Sequence, residues 1–343
     1  MSRLSESRHP AYHLRPNKAV DRFVFLELLR SLELRCSLRQ HVYVALGGPF
    51  LEDFRLLSQH FPQMALICVE QDRETVKRQR FHMCSRKMQC IDSSLGDFIA
   101  TRYPTSKPTI VWADYTDVNR EYFAEVGDIA RKALPHSLLR ITFPAESPVL
   151  GLGEYAHRYP PEVPKAKKAA FDDIRRSYED DMAVDGIVFR PDWFQWSDFS
   201  PKKFPRLLAR MLRAVVEGSS TFPRVFLPLH TVKYSDGTIM LSMTGLICRA
   251  EERDLFAKHF NDHFAFYSPN CDEVDVIDVP TLTTKERLHL DRILPTVAAT
   301  GEKCVKRLGY LIEGDDSEGA SRRKLQQFEK YYRLYPYFGK LVP

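Results

Sequence analysis

The sequence predicts an α/β fold: a doubly wound, mostly parallel sheet of about seven strands, closed by an antiparallel hairpin and carrying an insertion and a C-terminal extension. Three observations lead there. Five short apolar runs alternate with helical stretches through residues 18–143. Each of the first four runs ends in glycine or in polar residues, where such sheets bind ligands at the carboxyl ends of their strands. Later, Ser235-Asp236-Gly237 separates two strand-like runs, and Asp-Gly in that setting signals a hairpin.

The elements follow in order. Lys18–Arg35 reads as a helix, with Asn17 as its cap and Val20, Phe23, Val24, Leu28 and Leu32 at helical spacing. Val42–Leu46 is a buried strand ending at Gly47-Gly48-Pro49, and Pro49 suits the first turn of the next helix because its missing N–H would be unpaired there. Phe50, Phe54, Leu57 and Phe61 form the stripe of that helix. Met64–Val69 is the second strand, ending at Glu70, followed by a basic helix over Arg73–His82. Met88–Ile91 ends at Asp92-Ser93-Ser94, and Leu95, Phe98 and Ile99 continue as a helix. Thr109–Ala113 ends at Asp114-Tyr115, Val118–Ala133 is a helix, and Leu138–Phe143 is the fifth strand.

The chain then divides into residues 147–202, an insertion over the sheet edge with Tyr155, Trp193 and Trp196 among charges, and residues 203–264, a helix and the closing hairpin. With residues 1–146 the latter completes one domain, and 265–343 form the extension, with one more strand candidate at Val274–Val279 and a helix with Leu288 and Ile293. The insertion is expected to cover the carboxyl edge of the sheet and help select a substrate.

Composition narrows the function classes. The 343 residues are 44% hydrophobic and 28% charged, which excludes wholesale disorder, collagen and coiled coil. No apolar run approaches the ~18 residues of a membrane helix, and Met1–Pro16 lacks the apolar core of a signal peptide. Seven cysteines with no CxxC spacing read as reduced thiols of a cytoplasmic protein, and no metal site is expected. His259 and His263 share a helix face, but no third ligand and no intervening Glu accompanies them. No GxSxG and no P-loop occurs, so hydrolase and NTPase readings lack a starting residue.

The net charge of +5 permits a nucleic-acid partner without requiring one. Arg73, Lys77, Arg78, Arg80, Arg86 and Lys87 form a cationic stripe against Glu74 alone. The expectation disfavours tight nucleic-acid binding there. The helix must turn an apolar face inward, Val76 and Phe81 are its few anchors, and only Phe81 interleaves the cations.

Five alternating strands closed by an antiparallel hairpin resemble the Rossmann-like class I S-adenosylmethionine-dependent methyltransferases over roughly residues 18–260, omitting the insertion. The stretch Tyr12-His13-Leu14-Arg15-Pro16-Asn17-Lys18, the strand end Trp112-Ala113-Asp114-Tyr115 and the hairpin Tyr234–Gly245 are similar to bacterial O-methyltransferase-like proteins. The resemblance implies an enzyme that moves a methyl group from S-adenosylmethionine to an O or N acceptor. The alternative is an inactive methyltransferase-like module that binds nucleic acid or a partner protein.

On that resemblance Gly47 and Gly48 let backbone approach the methionine moiety. The family's acidic residue near this strand end is replaced by Val44 or Ala45. Phe50 stands where a dinucleotide fingerprint wants its third glycine, which argues against NAD. Glu70 would accept hydrogen bonds from the ribose hydroxyls, a geometry shared with dinucleotide folds. Asp92 and Ser93 would meet the adenine, although Ser and Asp also cap helices. Asp114 and Tyr115 would border the reacting atoms, the first orienting or deprotonating an acceptor and the second stacking on it. The Pro-Pro-aromatic motif of base amino-methyltransferases is absent there. Lys18, with Arg15, would hold the donor's carboxylate.

Overall fold

The computed structural model describes residues 15–149, 165–184, 186–187, 189–235, 237–294, 301–312 and 318–336. Tyr12, His13, Leu14, Tyr155 and Asp236 lie outside the described residues. The chain divides into two compact units: residues 28–233 with 238–275, and residues 1–27 with 234–237 and 276–343.

The larger unit carries the alternation. In order it contains β1 (Val42–Leu46), α2 (Glu52–His60), β2 (Ala65–Glu70), α3 (Arg73–Phe81), β3 (Met88–Asp92), α4 (Leu95–Thr101), β4 (Thr109–Asp114), α5 (Arg120–Lys132) and β5 (Ser137–Pro144). After α6 (Lys165–Arg176) and α7 (Phe204–Ser219) come β6 (Arg224–Ser235), β7 (Ile239–Arg249) and α8 (Arg253–His263). The helix before β1 is α1 (Pro16–Glu33), which begins in the smaller unit, and the last strand is β8 (Asp275–Ile277).

Among the described residues the sheet has eight strands, in the order β3-β2-β1-β4-β5-β7-β6-β8. The eighth, β8, is three residues long, lies at the edge and falls within the strand candidate Val274–Val279 of the extension. Parallel pairing joins β1 to β2 and β4, β2 to β3, and β4 to β5. β7 runs antiparallel to β5, from Ser137 opposite Ile247 to Pro144 opposite Met240. Gly237, at φ +121°, supplies the left-handed residue that the turn between β6 and β7 needs. One face of the sheet presents Val44, Val111, Leu139 and Ile141 to a core shared with α4, α5 and α7. Both faces of β1 and β4 are buried, so these strands read as continuous apolar runs rather than alternating ones, whereas β5 sets the buried polar residues Arg140 and Thr142 between its apolar ones.

Several local expectations change. The second helix starts at Glu52, because Leu51 adopts a left-handed conformation (φ 54°) and breaks the chain between Pro49 and the helix. Phe50 therefore lies outside it. Asn17 sits inside the first turn of α1 and is not its cap; its amide donates to the Ser235 carbonyl (2.8 Å) and its Oδ1 accepts from the Val279 N–H (2.8 Å). Phe81, expected to anchor α3, is 85% exposed, and the helix buries Val76 and Gln79 instead.

The described part of the 147–202 segment is a packed aromatic cluster. Phe199 is buried with Phe171, Tyr178, Phe194 and Phe204 around it at centroid distances of 5.4–6.4 Å. Phe189 meets Phe123 of α5 edge-on at 6.3 Å, so this cluster is continuous with the main core.

The smaller unit adds α9 (Thr284–Ile293), α10 (Gly301–Leu308) and α11 (Glu318–Tyr331). Leu290, Leu325, Phe328 and Tyr331 are among its buried apolar residues, and the Tyr335 hydroxyl donates to the Pro280 carbonyl (3.0 Å). No helix among the described residues is long and apolar enough to cross a membrane.

Candidate functional site

In an open α/β sheet the crevice forms where strand order reverses, outside the carboxyl ends. Here that point lies between β1 and β4. Register places the strand-end residues in one row. Glu70 is opposite Asp92; Leu46 is opposite Val69, so one step further Gly47 stands level with Glu70. Ala45 is opposite Trp112, so Gly47 also stands level with Asp114, which pairs with Thr142. At ~4.8 Å per strand, the row from Asp92 to Asp114 is about 14 Å long.

The glycine loop is held from below. A Cβ on Gly47 would stand 2.5 Å from the Cys68 sulfur and 3.1 Å from the Phe54 ring, so packing alone demands glycine there. The Gln79 amide, fully buried on α3, donates to the Gly47 carbonyl at 2.6 Å. Gly48 differs: a Cβ there would meet nothing within 4 Å. The loop thus keeps its backbone bare toward open space at the middle of the row.

Glu70 is half-buried, and its Oε1 accepts the Asp72 N–H at 2.8 Å. Its carbonyl accepts the Ser93 N–H at 3.0 Å, which ties the ends of β2 and β3 together. A carboxylate has about four acceptor positions. Asp92 is exposed, 3.6 Å from the Arg73 guanidinium. Ser93 and Ser94 divide their roles: Ser94 caps α4, accepting the Asp97 N–H at 3.0 Å, and Ser93 stands before the cap.

Asp114 and Tyr115 point to opposite sides, as successive residues of an extended chain do. Asp114 is half-exposed on the face of Trp112. Tyr115 turns into the core with Ala113 and is 3% exposed. Its ring stacks on Tyr122 (4.4 Å) and Phe143 (4.9 Å), and its hydroxyl donates to Glu125 at 3.0 Å. Burial drives the Tyr115 hydroxyl well above its usual range, and the Glu125 carboxylate adds to the shift. In this conformation Tyr115 has no free ring face for a substrate.

Below Asp114, the Trp112 indole donates to Thr142 Oγ1 (3.1 Å), which shares a hydrogen bond with Ser242 (2.8 Å). The buried Arg140 guanidinium lies 4.5 Å over the Trp112 ring and donates to Thr244 (3.0 Å). Strand end β4 is thereby fixed from three neighbouring side chains.

Lys18 belongs to the smaller unit, where it is 6% exposed in the first turn of α1. The row Asp92, Ser93, Glu70, Gly47, Gly48 and Asp114 is therefore what the larger unit assembles from the expected residues.

Glu125, Gln79 and Cys68 were not singled out by the sequence. Glu125 sits on α5, half-buried; desolvation raises its carboxyl above the usual value, and the Tyr115 hydroxyl opposes that shift. A Cβ on Gly96 would come 2.7 Å from Glu125 Oε1, so Glu125 ties the end of β4 to the first turn of α4. Gln79 carried a signal: it falls three residues after Val76, a polar side chain at a core position of its helix.

Among solved structures, the chain is similar to a probable spermidine synthase from Corynebacterium glutamicum ATCC 13032 (14% identity, TM-score 0.34, covering 45% of this chain and 54% of that one). It is also similar to Trm1 from Pyrococcus horikoshii, solved with S-adenosyl-L-methionine (11%, 0.44, covering 71% and 58%). A third likeness is the plantazolicin methyltransferase BpumL, solved with SAH (7%, 0.39, covering 67% and 85%). The chain thus spans just over half the length of the first two, at 54% and 58%. No protein of curated function matches the sequence. A family model described as "Putative O-methyltransferase" matches residues 10–342. Matched across almost its whole length, and carrying the strand order and bare glycine loop described above, the chain belongs to that O-methyltransferase family.

Proposed function

We propose that the chain moves a methyl group from S-adenosylmethionine to an oxygen or nitrogen nucleophile, using the row Asp92–Glu70–Gly47–Asp114 as its active edge. The observation that carries this reading is Glu70: a half-buried carboxylate level with a glycine loop that faces open space, beside the switch point of the sheet. When bound, the cofactor supplies an electrophilic methyl group on a positively charged sulfur. Glu70 would take the ribose hydroxyls, and Asp92 with Ser93 the base. The space in front of Gly48 holds no protein atom within 4 Å of a Cβ position and would receive the chain that carries the sulfur.

Asp114 would accept the acceptor's proton as the new bond forms, or orient the acceptor's lone pair along the line of transfer. Tyr115 would act indirectly, holding the end of β4 through Glu125 rather than stacking on the substrate. Seven free thiols, four of them buried, fit a reducing compartment such as the cytoplasm.

Calorimetry with S-adenosylhomocysteine tests the reading. Glu70→Gln keeps an acceptor for the Asp72 N–H and removes the charge. It is expected to weaken binding at least tenfold, because a hydrogen bond to a charged group contributes ~1.5–3 kcal/mol. Absence of binding heat with the wild type at about 1 mM ligand, equivalent to ~4 kcal/mol of binding energy, overturns the proposal.

A further inference from the structure

The structure exposes an aromatic and cationic surface beside the glycine loop. Phe81 ends α3 with its ring 85% exposed, edge-on to His82 at 5.2 Å. His82 in turn lies 5.7 Å from Phe50, the residue that follows the glycine loop. Two guanidiniums flank these three rings. Arg78 stacks over Phe50 at 4.5 Å, and Arg55 donates to the carbonyls of Phe50 (3.1 Å) and His82 (3.2 Å).

α3 does not need Phe81 inside, because Val76 and Gln79 fill the inward positions and the Gln79 amide donates to the Gly47 carbonyl. An exposed phenylalanine loses hydration free energy unless something covers it. The surroundings say what kind of partner that is. Lys77 is paired with Glu74 and Arg73 with Asp92, but Arg55, Arg78, Arg80 and Arg86 pair with no carboxylate among the described residues. Rings that offer π-faces, interleaved with unneutralised arginines, match the bases and phosphates of an unpaired strand. A purely apolar protein partner would leave Arg55 and Arg78 to desolvate, and a duplex would hide the bases from Phe81.

We infer that the surface formed by Phe50, Arg55, Arg78, Phe81 and His82 binds single-stranded nucleic acid. This goes beyond the methyl-transfer reading and does not depend on it. Phe81 stacks on a base, and Arg55 and Arg78 contact phosphates. With two contacts the slope of log affinity against log salt is about −1.4, so raising salt fourfold weakens binding about 7-fold.

Fluorescence anisotropy with labelled 20-nucleotide oligo(U) and oligo(dT) tests this, with a 20-base-pair duplex and polyglutamate as competitors. Binding to one or both single strands is expected, weakened about 7-fold between 50 and 200 mM salt. Phe81→Ala, at an exposed position, is expected to keep the wild-type melting curve and to lose about 5- to 150-fold in affinity. Arg55→Glu with Arg78→Glu abolishes binding. Preference for RNA or DNA is read from the two single strands. No binding at low salt overturns the inference. So does unchanged affinity in Phe81→Ala, or a duplex or polyglutamate that competes as well as the single strands, the last pointing to an acidic protein partner.

Discussion

Gly47→Ala should unfold the larger unit more easily, and the cost can be worked from its neighbours. The new Cβ would stand 2.5 Å from the Cys68 sulfur, 3.1 Å from Phe54 and 3.3 Å from Leu51. Cys68 is fully buried in β2 and cannot swing away. Overpacking of this kind costs about 2 kcal/mol, within a usual span of about 1–3. Cys68→Ala alone removes one buried sulfur, worth about 1 kcal/mol. If the two effects were independent the double variant would lose about 3 kcal/mol. The geometry says otherwise, because the added methyl occupies the space the sulfur leaves. The double variant should lose only about 1 kcal/mol, a coupling of about 2 kcal/mol. Urea unfolding followed by tryptophan fluorescence is the assay, since Trp112, Trp193 and Trp196 all lie in this unit. A Gly47→Ala variant as stable as wild type, or a double variant that loses the full sum, would refute the reasoning.

Gly48→Ala should leave stability within about 0.5 kcal/mol of wild type and yet weaken S-adenosylhomocysteine, which urea melts and calorimetry on the same samples can separate. Phe199→Ala removes the ring at the centre of the aromatic cluster and should cost about 3–5 kcal/mol in urea unfolding; a loss under about 1 kcal/mol would show that the cluster is loosely packed. The raised carboxyl of Glu125 means that the folded chain binds more protons than the unfolded one just above the ordinary value of 4.5. Stability from this group is therefore present at low pH and lost as pH rises through the interval up to its native value. Melting temperatures of wild type relative to Glu125→Gln should fall across that interval and level off above it; a difference that rises with pH would contradict the assignment.

The sequence made the sheet legible because burial on both faces writes itself as unbroken apolar runs, as in Val42–Leu46 and Ile110–Ala113. The strand-end polar residues were legible for the same reason: each follows a run that has stopped. What was harder was orientation. Alternation from Val111 and Ala113 already puts Tyr115 on the core side, and that signal was available in the spacing. The exposure of Phe81 was not, because it depends on Gln79 finding the Gly47 carbonyl, a bond between residues 32 apart that no local pattern encodes. Glu125 was hidden likewise, since its partners Tyr115 and Gly96 come from two other segments. The eighth strand was legible as the candidate Val274–Val279, although only Asp275–Ile277 within it form the strand.

The antiparallel join of β5 to β7 also sets a condition on how the chain is made. β5 emerges from synthesis with β1, β2, β3 and β4 already available, so five strands can pair while one flank of β5 has no neighbour. That flank belongs to a strand buried from Ser137 to Phe143 in the finished protein. Its partner is not complete until Arg249, 105 residues after Pro144. At ~5–20 residues per second, the naked flank would wait roughly 5–20 s for cover. Chaperone dependence and inclusion-body formation should accordingly be most sensitive to changes in β7, far from the row of strand ends, and chains truncated before residue 239 should aggregate through β5.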